Sequence, residues 1–252
     1  MRYVAIGDSF TEGIGDERVD GSPRGWADLV AAGLAAGGPP VEYANLAVRG
    51  RLLEPIVTGQ LEAALALTPA PTLITFNGGG NDMMRQGVDG RRLVDLTEHV
   101  IRSCAAAGVR LVLLSGADPS DGLPFGGTVR RRGKALTAAV AGLARRHDFV
   151  FVDVFNDAEI RRAPYWSPDR LHLGPDGHRR VASLVLAALG HDVAAHAVAP
   201  TPADPRRLST EVRYYREHVL PWLARRARGR SSGDNRLGKH VAWTTVETPH
   251  PA

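Results

Sequence analysis

One cysteine, Cys104, stands among 252 residues, so the chain has no internal disulfide framework, and this scarcity fits a reducing compartment. No run of about 18 apolar residues occurs, which leaves no transmembrane helix to expect. The first residues enter an apolar run directly, without the basic stretch and apolar core of a secretory signal. The expectation is a soluble cytoplasmic protein. His and Cys pairs at metal-ligand spacing are missing, so neither a metal nor another cofactor is expected. The glycine-rich stretch Gly13-Ile14-Gly15-Asp16, followed by Gly21-Ser22-Pro23-Arg24-Gly25-Trp26, lacks G-x-G-x-x-G spacing, which excludes a dinucleotide site. Internal repeats are absent as well.

What is present is ordinary globular usage, 44% apolar and 23% charged, enough for one well-buried domain of ~200 residues. The formal charge of +4 is unevenly placed. Residues 200–252 hold ten Lys/Arg against five Asp/Glu, whereas the remainder holds 21 against 22. A nearly neutral body argues against a nucleic-acid-binding fold. The basic tail leaves a secondary alternative, a binding protein for an anionic partner.

Apolar runs at Tyr3–Ile6, Val41–Leu46, Thr72–Phe76, Val109–Leu114 and Phe149–Val154 alternate with amphipathic stretches. Leu93, Leu96, Val100, Ile101 and Cys104 recur at helical spacing, as do Leu136, Val140 and Leu143. Pro175-Asp176-Gly177 opens a further helix with Val181, Leu184, Val185 and Ala188 toward the sheet. This alternation predicts a three-layer α/β/α sandwich around a five-stranded, mostly parallel sheet of flavodoxin-like order 2-1-3-4-5. The catalytic body is expected over 1–190. A linker and a helix packed on the body follow over 191–228, the helix starting at Asp204-Pro205 with an apolar stripe of Leu208, Val212, Tyr215 and Val219. Residues 229–252, rich in glycine, serine and charge, are expected to be a disordered basic tail.

Gly7-Asp8-Ser9 follows the first predicted strand, a place where a serine hydroxyl is held in a glycine-flanked turn. A serine at its own pKa is a weak nucleophile and needs a base, and the base needs an orienting acceptor. His172 and Asp169 stand three residues apart before the last helix, a spacing that lets the carboxylate reach Nδ1 and leaves Nε2 to face Ser9. Ser9, Gly50 and Asn81 all follow strands at the carboxyl edge of the sheet, where open α/β folds bind ligands.

Gly7-Asp8-Ser9, Asn45-Leu46-Ala47-Val48-Arg49-Gly50, Gly78-Gly79-Gly80-Asn81-Asp82 and Asp169-Arg170-Leu171-His172 together resemble the four sequence blocks of the SGNH (GDSL) hydrolase family, in family order, with the likeness running to about Leu189. The resemblance implies the same fold and a serine esterase with Ser9, Asp169 and His172 as catalytic residues. It also implies three oxyanion donors: the backbone N–H of Ser9, the backbone N–H of Gly50 and the side-chain amide of Asn81. The partner is then a small-molecule or lipid ester, of small or medium acyl chain or an acetylated sugar, and an acyltransferase using the same residues is the alternative. The chain lacks G-x-S-x-G, which separates it from α/β-hydrolase lipases.

Phe10, Arg49, Met83, Met84 and Arg85 are candidates for shaping the substrate pocket. Asp8 is expected to bond turn amides near Ser9, and Asp82 to cap a helix so that Asn81 turns inward. His178 is expected at the surface, Cys104 in the core, and Arg130-Arg131-Arg132 on a solvated helix face.

Overall fold

The computed structural model describes residues 1–36, 38–123, 125–191 and 233–247. The expected linker from 192 and the expected helix from Asp204 lie outside the described residues.

The chain begins with β1 (Arg2–Ile6) and turns at once into the single-turn α1 (Ser9–Glu12); α2 (Trp26–Ala35) and β2 (Val41–Asn45) follow. A helical run is then built of α3 (Leu53–Pro55), a π-helical stretch Ile56–Leu61 and α4 (Glu62–Leu65). Next come β3 (Leu73–Phe76), the short α5 (Gly80–Met83), α6 (Gly90–Ala106), β4 (Arg110–Leu114), α7 (Gly126–His147), β5 (Val150–Val152) and α8 (Pro175–Ala188). Five strands run parallel in the order β5-β4-β3-β1-β2, which is the expected flavodoxin-like arrangement.

Strand side chains alternate between the two faces of the sheet. Val4, Ile6, Ile74 and Phe76 join one apolar cluster with Leu93, Leu96, Val100, Ile101 and Cys104 of α6 and Leu143 of α7. Tyr3, Ala5, Tyr43 and Val112 join the other with Trp26, Val30 and Leu34 of α2 and Val181 and Val185 of α8. Helices on both faces make the three layers. The α8 face is turned slightly from its expected register: Ala182 and Leu186 are buried beside Val181 and Val185, while Ala188 is exposed.

A sixth strand changes the count. The segment His240–Val246, expected to be disordered, forms β6 and pairs antiparallel with β2, matching Val41 with Val246 and Asn45 with His240. The physical reason is local. Val-Ala-Trp-Thr-Thr-Val is β-branched and aromatic, and β2 would otherwise present an unpaired edge. The polar flanks obscured that run.

Candidate active site

The turn after β1 is closed by Asp8, whose buried carboxylate caps α1 by accepting from the Phe10 N–H at 3.1 Å. This is the expected turn-bonding role, and it leaves Ser9 as the first residue of a helix, at the mouth of the sheet. Burial raises the Asp8 carboxyl to about 6, a shift opposed by the Phe10 N–H and the nearby His172. Asp8 Oδ2 also accepts from Asn81 Nδ2 at 3.1 Å, and the same amide nitrogen donates to the Arg51 carbonyl at 3.0 Å. Asn81 is thereby turned inward. Asp82 does not cap its helix; its carboxylate accepts from the Leu53 N–H at 3.0 Å and so starts the α3 run.

On the loop before α8, His172 Nδ1 donates to Asp169 Oδ2 at 2.6 Å. The other oxygen, Oδ1, accepts from Ser167 Oγ at 2.6 Å, Leu171 N at 2.9 Å and His172 N at 3.0 Å. Burial alone would push the Asp169 carboxyl up. The hydrogen bond and charge of His172, with the Ser167 hydroxyl, outweigh it and hold the group well below the usual carboxylate range. The tautomer with its proton on Nδ1 leaves Nε2 basic.

Ser9, Asn81 and His172 line one cavity, together with Phe10, Met83 and Met84. Leu114, Leu136, Val140, Phe155 and Trp166 give the cavity a largely apolar lining, with Asn77, Ser115 and Thr137 among its polar members. Gly50 lies at the β2–α3 loop with φ +75°, a conformation that suits glycine. Neither Gly50 nor Arg49 lines this cavity. Arg49, expected near substrate, is committed instead to Glu12: its guanidinium donates to Oε1 at 2.9 and 2.5 Å, and its backbone N–H to Oε2 at 2.6 Å. Arg85 too is placed by its backbone, since Arg132 Nη1 donates to the Met83 and Arg85 carbonyls at 3.0 and 2.8 Å. That contact takes Arg132 out of the expected solvated face.

The glycine-rich stretch after α1 serves the backbone. Gly13 (φ +98°) and Gly25 (φ +127°) cross so closely that a Cβ on Gly13 would lie 1.8 Å from the Arg24 carbonyl oxygen. Asp16 closes the loop with two hydrogen bonds from Arg24, at 2.9 and 3.0 Å. His178, expected at the surface, is fully buried. Its Nδ1 accepts from the Trp26 N–H at 3.2 Å and its Nε2 donates to the Ile14 carbonyl at 3.1 Å. Both ring nitrogens are satisfied in the neutral form, and burial lowers its pKa to about 4.

A model of the GDSL-like lipase/acylhydrolase family matches residues 5–180. The chain belongs to that family. It is accordingly a serine-type hydrolase of carboxylic esters. Solved structures with the same fold include a catalytic mutant of the acetylxylan esterase Axe2 from Geobacillus stearothermophilus. It is 19% identical, with TM-score 0.62, and the match covers 76% of this chain and 94% of that one. LAE5, an alpha/beta hydrolase enzyme from the metagenome of Lake Arreo, Spain, is 22% identical over 75% of this chain and 94% of its own, with TM-score 0.62. TesA is also 22% identical, over 75% of this chain and 98% of its own, again with TM-score 0.62. No curated protein matches the chain. No helix of the described residues is long and apolar enough to cross a membrane.

Sequence reasoning missed the cavity walls from α7 and the β5–α8 connection. Leu136 and Val140 were legible as an apolar helix stripe, the signal of a core face. Part of that stripe packs on the core while it lines the cavity.

Proposed function

We propose that Ser9 is the nucleophile of a serine esterase working through an acyl-enzyme, with His172 as its base and Asp169 holding the imidazole. The observation that carries this reading is the 2.6 Å Asp169–His172 hydrogen bond beside a cavity that His172 shares with Ser9 and Asn81. Ser9 Oγ attacks the ester carbonyl carbon while its proton passes to Nε2. The carbonyl oxygen becomes an oxyanion, received by the Ser9 and Gly50 backbone N–H groups and the Asn81 amide. When the tetrahedral species collapses, the C–O bond to the alcohol breaks and His172 returns the proton to the leaving oxygen. Water then attacks the acyl-Ser9 ester, giving its proton to Nε2. The second collapse frees the carboxylic acid and restores the Ser9 hydroxyl.

The apolar side chains in the cavity's lining, Met83, Leu136, Val140 and Phe155 among them, support an acyl chain longer than acetyl. The test is hydrolysis of p-nitrophenyl acetate, butyrate and octanoate by wild type and Ser9→Ala at neutral pH. The reading expects activity that rises beyond acetate and vanishes in Ser9→Ala. Equal rates in the two proteins would remove Ser9 from the chemistry.

A further inference from the structure

We propose that the C-terminal segment 233–247 is a strap that holds the loops carrying Ser9 and Gly50 in register, with Lys239 as its positioning residue. The proposal rests on the serine-esterase reading of those two residues.

Three contacts carry it. First, Lys239 Nζ donates to the Glu12 carbonyl at 2.7 Å, the Pro23 carbonyl at 3.1 Å and Asp28 Oδ2 at 2.5 Å. An ammonium has three N–H donors, and all three are used. The Lys239 side chain is only 13% exposed and that of Asp28 10%. Second, Glu12 is the last residue of α1, the turn that starts at Ser9, and its carboxylate grips both the backbone N–H and the guanidinium of Arg49. Arg49 immediately precedes Gly50. Third, the strap lies directly on the Gly50 loop. A Cβ on Gly233 would stand 1.9 Å from the Arg49 carbonyl oxygen, and one on Gly238 would stand 2.5 Å from the Asn45 carbonyl oxygen. The two predicted backbone donors of the oxyanion hole thus each lie close to one chain of contacts from Lys239 through Glu12 to Arg49: Ser9 opens the turn that Glu12 closes, and Gly50 follows Arg49.

A buried ion pair is weak evidence for stability, because desolvating both charges offsets their attraction. Its value here is positional. Donors to an oxyanion act only at hydrogen-bond distance, and a misplacement near 1 Å costs about a hundredfold in rate. The strap also lies beyond residue 180, where the family match ends.

The test uses the full-length protein. Lys239→Met leaves Asp28 unpaired, so the double variant Lys239→Met/Asp28→Asn is measured beside it. Thr245→Val serves as a control, removing only the far-end hydrogen bond from β6 to Glu42. On p-nitrophenyl butyrate, at a temperature where each variant is folded, the double variant is expected to lose about ten- to a hundredfold in kcat with KM within twofold. Phosphorylation of Ser9 by diethyl p-nitrophenyl phosphate, which builds charge in the same hole, should slow in parallel, and Thr245→Val should match wild type. If the charge variants fail to fold, Gly233→Ala, which presses on the Arg49 carbonyl without touching a charge, should show the same loss. A kcat within twofold of wild type, or a change confined to KM, would overturn the strap. Loss of the esterase reading would show separately, as Ser9→Ala retaining activity.

Discussion

Asn81 Nδ2 donates to Asp8 Oδ2 at 3.1 Å, and its other N–H is taken by the Arg51 carbonyl at 3.0 Å. Both donors of the amide are therefore engaged before a substrate arrives. To receive an oxyanion, Asn81 must share or exchange one of these bonds, and its two anchors fix where that exchange takes place.

Asn81→Ala removes the donor and leaves the cavity's apolar walls in place. The expected result is a loss of about a hundred- to a thousandfold in kcat, with KM little changed, because the bond is made to charge that develops only in the transition state. Steady-state kinetics on p-nitrophenyl butyrate check it.

Asp169 holds the imidazole by one oxygen and its own loop by the other. Asp169→Asn places an amide opposite His172 Nδ1, which moves the ring proton to Nε2 and blocks it as a base. A loss on the order of 10⁴-fold in kcat is expected, with the melting temperature close to wild type. Asp169→Ala also strips the acceptor from Ser167, Leu171 and His172, and should melt earlier, by about 1–3 kcal/mol of stability. Thermal unfolding of the two variants separates the loop-holding role from the ring-holding one.

The sheet and the candidate site were legible for a common reason: each is encoded by short-range pattern. Strand runs announce themselves by four or five apolar residues, Ser9, Gly50 and Asn81 by motifs that follow strands at one edge, and Asp169 and His172 by their three-residue spacing just before a helix. The unread features depend on contacts far apart in sequence. His178 is buried because its partners Trp26 and Ile14, 152 and 164 residues away, satisfy both nitrogens. Arg49 was available to substrate on paper, and only the fold brings it against Glu12, 37 residues earlier. The strand β6 was hidden because its worth depends on the bare edge of β2, not on its own polar surroundings.

Two buried titrating groups should give stability opposite pH slopes. His178 has a folded pKa of about 4 against an ordinary 6.5, so it stays neutral while the unfolded chain takes up a proton. Its contribution is present above pH 6.5 and is lost as pH falls toward 4, about 3 kcal/mol in all. Asp8 runs the other way: its carboxyl, raised from 3.8 to about 6, favours the folded state most below pH 3.8 and loses about 3 kcal/mol as pH climbs through 6. Chemical denaturation from pH 4 to 7 is the measurement. Asp8→Asn should steepen the net rise of stability with pH, and His178→Gln should reverse it.

The acyl end of the cavity gives the last prediction. Leu136 and Val140 stand one helical turn apart on α7 and wall the cavity with Phe155. A methylene group in an apolar pocket is worth about 1–3 kcal/mol, or roughly ten- to two-hundredfold in kcat/KM. Leu136→Trp narrows the cavity and should lower kcat/KM for p-nitrophenyl octanoate at least about tenfold while leaving acetate within about threefold. Leu136→Ala lengthens the same space and should move the preferred chain upward. Opposite shifts from the two variants locate the acyl chain under α7, because a general loss of packing would lower every ester alike. Parallel losses across the series would instead place the acyl group outside that wall.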